Sequence, residues 1–281
     1  MADTRMGRTF SALRLVHPFP SFLNGALVFG LALLAAHGTE RPPFLVAGTL
    51  AAGMLGLQFC IGTVNDLIDE PIDRRAKEWK PIAAGIVSRR TATVLALIAG
   101  GGGLALAAVA GGLAVLSMAA AMLACGLVYD VWLKPTAWAW LCFSVAFAIL
   151  PVYAWFGASG QLPPRPEFLL PLAALAGPLI QLSNSLADLE RDAATGIKTL
   201  ATRLGRRGSL AVIAALVVVI HGLAWLTVAQ IWNILAIASA SGFALIGLVL
   251  AASDQPTRRE IGWMVQALAI ALLALAWVLT E

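Results

Sequence analysis

Residues 43–73 read P-F-L-V-A-G-T-L-A-A-G-M-L-G-L-Q-F-C-I-G-T-V-N-D-L-I-D-E-P-I-D. From Pro43 to Val64 the chain runs 22 residues without a charge, and four carboxylates (Asp66, Asp69, Glu70, Asp73) then fall within eight residues. An uncharged run of roughly 20 residues spans a bilayer as a helix. Aspartates crowded against the end of such a span are functional candidates by default. This stretch therefore sets two expectations: a membrane helix, and a polar site at its edge.

The rest of the chain repeats the pattern. Of its 281 residues 60% are hydrophobic and 12% charged, where a soluble domain carries about a quarter charged. Apolar runs and their breakers predict spans at 20–37, 43–65, 91–110, 113–129, 137–156, 168–187, 209–228, 232–252 and 261–279. The third and fourth are divided only by Gly111 and Gly112. One helix over 91–129 would be about twice the bilayer thickness, so a hairpin is expected there. The fold class is all-α: a polytopic membrane protein of about nine transmembrane helices.

Charge placement tests this count. With nine spans, 17 of the 19 basic residues fall on one side, from Arg5, Arg8 and Arg14 to Arg258 and Arg259, and only Arg41 and Arg165 on the other. That asymmetry predicts a cytoplasmic N-terminus. It also explains the +4 net charge without a nucleic-acid partner, and no obligate protein partner is evident. Cys60, Cys125 and Cys142 sit in apolar runs without metal-ligand spacing and read as buried thiols. Polar, basic residues open the chain, so no removable signal peptide is expected. The expected location is the plasma membrane of a prokaryote, with the site loops cytoplasmic.

A second acidic segment, N-S-L-A-D-L-E-R-D from Asn184 to Asp192, follows the sixth span as the first follows the second. Both contain N-x-x-x-D-x-x-x-D: Asn65, Asp69, Asp73 and Asn184, Asp188, Asp192. Each is followed by a lysine (Lys80, Lys198) and then by an Arg-Arg pair. The chain thus reads as one domain over 1–281, two four-helix repeats (about 15–135 and 136–255) plus a final helix. Sites in such repeats lie at the repeat interface.

On a helix, residues four apart share a face, so Asn184, Asp188 and Asp192 form one polar stripe. Asp66, Asp69 and Asp73 form another, although Pro71 cannot donate to the Leu67 carbonyl and is expected to kink or end the helix before Asp73. Two facing stripes would set about five carboxylates around one cavity, and without a cation they would repel one another. Oxygen ligands alone suit magnesium, which binds through carboxylates, waters and substrate phosphates. The nearby lysines and arginines could hold phosphate oxygens, so the cavity looks built for a diphosphate.

These motifs resemble those of the UbiA family of intramembrane prenyltransferases along most of the chain. The first family motif is matched by Asn65 to Asp73 followed by Lys80, Pro81 and Gly85, with Lys80 standing where the family usually has Arg. The second is matched by Asp188, Asp192, Gly196, Lys198 and Thr199. A Tyr and a Lys after the fourth helix are matched by Tyr129 and Lys134. The resemblance implies two Mg2+ ions, one held by Asp66, Asp69 and Asp73 and the other by Asp188 and Asp192, gripping the diphosphate of a polyprenyl donor. Asn65 and Asn184 would support the aspartates or touch a phosphate of the substrate. Lys80, Lys134 and Lys198 would contact the diphosphate, with Arg74 and Arg203 as weaker candidates. Tyr129 would bond a phosphate, face the allylic cation, or serve as an interfacial anchor.

The expected reaction is transfer of the polyprenyl group to an acceptor within the membrane. An aromatic or quinone-precursor acceptor is the default. Glycerol lipids, sugar phosphates and tetrapyrroles are the alternatives, because the motifs grip the part that all donors share. A cation-coupled transporter is the rival from another class. It predicts broken helices and charges near the midplane, where this chain is apolar. His17 and His221 stand alone and read as structural histidines. Trp132, Trp138 and Trp140 read as an aromatic belt, and Gly100–Gly103 as a helix-packing surface.

Overall fold

The computed structural model describes residues 12–226 and 231–279. Arg5, Arg8 and the predicted end of the seventh span at 227–228 lie outside the described residues. Within them the chain is helical, with no strand. The long helices are α1 (Pro18–Ala36), α2 (Pro43–Ala76), the pair α3 and α4 within Arg89–Val128, and α5 (Trp140–Ser159). They continue with α6 (Pro166–Ala187), α8 (Leu200–Leu226), α9 (Ile231–Ala251) and α10 (Pro256–Val278), and a short α7 covers Leu189–Ala194. Eight continuous helical segments are long and apolar enough to cross a membrane. One of them, Arg89–Leu133, contains two helices within Arg89–Val128, which gives nine spans among the described residues.

The turn between α3 and α4 falls at Gly111 and Gly112, where the backbone leaves helical values; Gly112 takes φ 64°, ψ −152°, which a side chain would resist. The fold-back is measurable: a Cβ on Gly100 would lie 3.8 Å from Leu123 Cδ2. In one straight helix those residues would stand about 34 Å apart along the axis at 1.5 Å per residue. Gly100 and Gly103 of the predicted packing surface lie against α2, close to Cys60 and Leu57.

Two compact units divide the chain: residues 1–131 with 156–160, and residues 132–155 with 161–281. In the first unit α1 packs on α2, and α2 on the α3–α4 hairpin. Arg41 closes one end of this unit. Its guanidinium donates to the Ala110 carbonyl at 2.6 Å and to the Gly157 carbonyl at 2.7 Å, so helix-end carbonyls of α3 and α5 share one cation, as the helix dipole favours.

In the second unit α6 packs on α8 and α10, and α9 on α10 and α8. The Ser183 hydroxyl donates to the side-chain amide oxygen Oε1 of Gln266 and ties α6 to α10. His221 and Trp225 of α8 both meet the Ser241 hydroxyl of α9, at 3.0 and 3.2 Å. His221 is therefore a structural residue of this unit.

Two local expectations change. Helix α2 does not end at Pro71 but runs on to Ala76. The carbonyl that Pro71 leaves without an amide donor, Leu67 O, accepts instead from Arg89 Nη1 at 3.2 Å. In the second motif the stripe is interrupted, because α6 ends at Ala187 and Asp188 sits at a junction with φ −100°, ψ 8°. The Asp192 amide still donates to the Asp188 carbonyl at 2.9 Å, so these two aspartates keep a one-turn relation.

Candidate functional site

The first motif occupies the last turns of α2. The chain then turns back through 77–88, pinned by a small apolar cluster of Leu15, Ile82 and Ala92 with Leu67 and Val87 packed on it. Gly85 turns the loop at φ 70°, and the Ile86 and Val87 amides return to the Pro81 carbonyl. This fold-back carries Lys80 beneath the aspartates. Its ammonium is 2.8 Å from Asp66 Oδ1, 2.7 Å from Asp73 Oδ2 and 4.0 Å from Asp69 Oδ2. Asp66, Asp73 and Lys80 are buried. Burial alone would push the Lys80 ammonium down, but the Asp66 and Asp73 carboxylates outweigh it and hold the group above the usual lysine range, since opposite charges favour the ionised form.

Sequence reasoning missed three partners here. His17 Nε2 lies 3.0 Å from the same Asp66 Oδ1 that Lys80 contacts. His17 has a left-handed backbone, φ 46° and ψ 70°, immediately before Pro18 opens α1. Asn65 donates its amide to Asp130 Oδ1 at 2.7 Å, and Asp130 is buried beside Tyr129 in the π-helical turn Tyr129–Leu133. Glu70 turns to arginines instead: it accepts from Arg74 at 2.7 and 3.1 Å and from Arg89. Arg74 is thus engaged with Glu70. A signal for Glu70 lay in the motif itself, whereas nothing local marked His17, 49 residues from Asp66.

In the second unit Asp188 and Asp192 flank α7. Arg191 plays a part like that of Lys80, 2.5 Å from Asp188 Oδ2 and 3.9 Å from Asp192 Oδ1. Glu190 reaches away to a fork on Arg259, whose Nη1 donates to Oε1 at 2.8 Å and whose Nη2 donates to Oε2. That bond holds the Glu190 carboxyl below the usual range. Helix α7 closes on Gly196 at φ 74°, with the Ile197 amide returning to the Asp192 carbonyl at 3.0 Å, a helix-ending pattern that favours glycine. Thr199 then caps α8, its hydroxyl accepting from the Thr202 amide at 3.2 Å. Lys198 and Arg203 are exposed on either side of Thr199, Asn184 is half-buried on α6, and Lys134 is half-buried after the π-turn.

A metal can be tested against these residues. Among the described residues no set of three His, Cys, Asp or Glu groups is drawn together as a formed metal site. In the first motif the reason is visible: the Lys80 ammonium stands where three carboxylates converge. A positive charge within 4.0 Å of Asp66, Asp69 and Asp73 is a stand-in for a cation. The all-oxygen donor set fits Mg2+.

A family model described as the UbiA prenyltransferase family matches residues 26–260. Among curated relatives, the digeranylgeranylglyceryl phosphate synthase of Methanopyrus kandleri is 29% identical over 60% of this chain and 62% of its own length. The protoheme IX farnesyltransferase of Cupriavidus taiwanensis is 28% identical over 49% of this chain and 45% of its own. A probable chloroplastic homogentisate phytyltransferase 2 of Oryza sativa subsp. japonica is 28% identical over 67% of this chain and 54% of its own. The chain thus spans less than two thirds of each of these relatives. Among solved structures, a UbiA homologue from Archaeoglobus fulgidus bound to DMAPP and Mg2+ superposes with a TM-score of 0.70 at 19% identity, covering 96% of this chain and 100% of that one. A UbiA homologue from Aeropyrum pernix K1 gives 0.69 at 17% identity, covering 92% and 97%. These likenesses show the fold.

Proposed function

We propose, for a chain that belongs to the UbiA prenyltransferase family, that it transfers a polyprenyl group from a polyprenyl diphosphate to a small-molecule acceptor within the membrane, using Mg2+. The observation that carries this reading is the convergence of Asp66, Asp69 and Asp73 on one cationic centre. The same N-x-x-x-D-x-x-x-D spacing returns at Asn184, Asp188 and Asp192. That both motifs serve one diphosphate, through two ions, is part of the proposal and rests on this repetition. The N-terminus and both motif loops are assigned to the cytoplasmic side of a prokaryotic plasma membrane, from the placement of basic residues.

Asp66, Asp69 and Asp73 would hold one ion, and Asp188 and Asp192 the other. Bound there, Mg2+ offsets the charge that grows on the diphosphate as the C–O bond breaks. Lys80 leaves the aspartates and donates to a phosphate oxygen, with Lys134 and Lys198 as further donors and Arg74 and Arg203 as weaker ones. Asn65, held by Asp130, and Asn184 support the aspartates or touch a phosphate, and Tyr129 meets the phosphate or the cation. The bonding pair leaves with the diphosphate. The allylic carbon takes a new pair from the acceptor nucleophile, which loses its proton. Apolar helices keep water from the cation.

The acceptor proposed is an aromatic or quinone-precursor ring. A second reading, transfer to a glycerol phosphate, is favoured by the Methanopyrus kandleri relative. The test is release of diphosphate from geranylgeranyl diphosphate by purified protein, with Mg2+, across a panel of both acceptor kinds and with Asp69→Ala and Asp188→Ala alongside. Acceptor-dependent release that both substitutions abolish is the expected result. A folded, Mg2+-binding protein that releases diphosphate with no acceptor or donor length would overturn it.

A further inference from the structure

Helix α7 has six residues, too few to hold a direction by itself. Something must aim it, and Glu190 is placed to do so. At about 100° per residue, Glu190 lies about 160° round α7 from Asp192, whose amide bonds the Asp188 carbonyl one turn back. A contact made by Glu190 therefore points the aspartates the opposite way.

That contact is strong and costly to build. Arg259 is 1% exposed although it stands in the first turn of α10, and its two terminal nitrogens both go to the Glu190 carboxylate. A buried guanidinium without an anion is heavily penalised, so α10 keeps its packing only while Glu190 stays in the fork. The first motif has a counterpart. Glu70, interleaved with Asp69 and Asp73, is gripped by Arg89, the first residue of α3. In each motif the glutamate is tied to an arginine at the start of another helix.

We infer that Arg259 is a positioning residue for the second aspartate motif, acting through Glu190, and that this is the task of the final helix α10. Glu190 itself binds no metal; it holds α7 so that Asp188 and Asp192 present their oxygens together. This rests on the proposed role of those two aspartates as metal ligands.

The probe is Mn2+ with inorganic diphosphate, titrated by electron paramagnetic resonance on the full chain in lipid nanodiscs. The variants are Glu190→Gln, Arg259→Lys, Asp188→Ala and the exchanged pair Glu190→Arg with Arg259→Glu. Glu190 is 62% exposed, and its amide variant keeps the shape of the side chain while removing the charge. Glu190→Gln and Arg259→Lys are expected to weaken Mn2+ binding by about tenfold, the usual cost of losing a group behind a metal ligand. Glu190→Gln also lowers the metal-free melting temperature, because the buried Arg259 loses its anion; Mn2+ is therefore titrated well below that transition, and the exchanged pair recovers part of the affinity. If Glu190→Gln binds Mn2+ like the wild type while Asp188→Ala does not, the fork is only structural and the inference fails. If Asp188→Ala also binds normally, the second motif holds no metal, and the inference falls with that reading. A wild type that binds Mn2+ but transfers no prenyl group, with Glu190→Gln still weakened, would sink the proposed function and uphold the positioning role.

Discussion

Lys80 and Asp73 face each other at 2.7 Å, both buried, with the lysine reaching back across the loop that follows α2. The ammonium offsets part of the negative charge of the first motif before any substrate arrives, and it must give way if a divalent ion takes the same carboxylates. Opposite effects on metal and on diphosphate follow from that one contact. Replacing Lys80 with Met is expected to tighten Mn2+ binding in the absence of diphosphate by about tenfold, or about 1.4 kcal/mol. The same change should weaken inorganic diphosphate binding, since a charge-assisted donor is lost. Isothermal titration of each ligand separates the two. A variant that loses affinity for both would show that Lys80 builds the site rather than competing for it.

Pro71 and Arg89 make a second pair. Arg89 supplies the donor that Pro71 withholds from the Leu67 carbonyl, and it also bonds Glu70. The Leu67 contact is exposed and Glu70 keeps its bonds to Arg74, so the loss falls at the low end of the about 1–3 kcal/mol that a missing partner costs a buried polar group. Arg89→Ala should lower the melting temperature in detergent by a few degrees, given about 2–4 °C per kcal/mol in chains of this size class. Pro71→Ala restores an amide opposite Leu67, so adding it to Arg89→Ala should recover part of the loss. A double-mutant cycle with zero coupling would show that the two residues act independently.

What the sequence revealed and what it hid divide along contact range. The hairpin at Gly111 and Gly112 was legible because two adjacent glycines interrupt an apolar run too long for one span. The aspartate motifs were legible because their i, i+4 spacing is local. Pro71 was expected to kink or end the helix and does not end it; the Leu67 carbonyl that it leaves without an amide is met by Arg89, 18 residues further on. His17 read as a lone histidine and Arg259 as a topology charge. Their partners are 49 and 69 residues distant, and no periodicity reports a contact made by tertiary packing. Asp188 was placed within a continuous stripe, and the tight turn from its amide to the Ser185 carbonyl left no mark in the spacing.

His17 supplies a third prediction through its neighbour Gly62. A Cβ at Gly62 would lie 3.1 Å from His17 Cδ2, so alanine there pushes on the imidazole that contacts Asp66. His17 already holds a left-handed backbone, strain of about 1–3 kcal/mol that persists only where surrounding structure enforces it. Gly62→Ala is expected to lower acceptor-dependent diphosphate release by about tenfold through displaced hydrogen bonding to Asp66, a proposed metal ligand, while Gly101→Ala, where a Cβ meets nothing within 4 Å, leaves it unchanged. Equal activity in both variants would mean that the His17 contact does not matter for turnover.

Arg41 separates stability from chemistry. It bonds the Ala110 and Gly157 carbonyls at the end of its unit away from the aspartates, and also touches the Ala158 carbonyl at 3.4 Å. Helix-end carbonyls without a donor are destabilising, and a cation there gains from the helix dipole. Arg41→Ala should therefore cost about 1–3 kcal/mol, seen as a lower melting temperature and faster proteolysis between α1 and α2. Arg41→Lys should cost less, because an ammonium keeps the charge but cannot fork between two helix ends. In either variant, the rate of diphosphate release per folded molecule should match the wild type below the melting transition. A rate that fell in step with stability at low temperature would instead tie this end of the unit to the reaction.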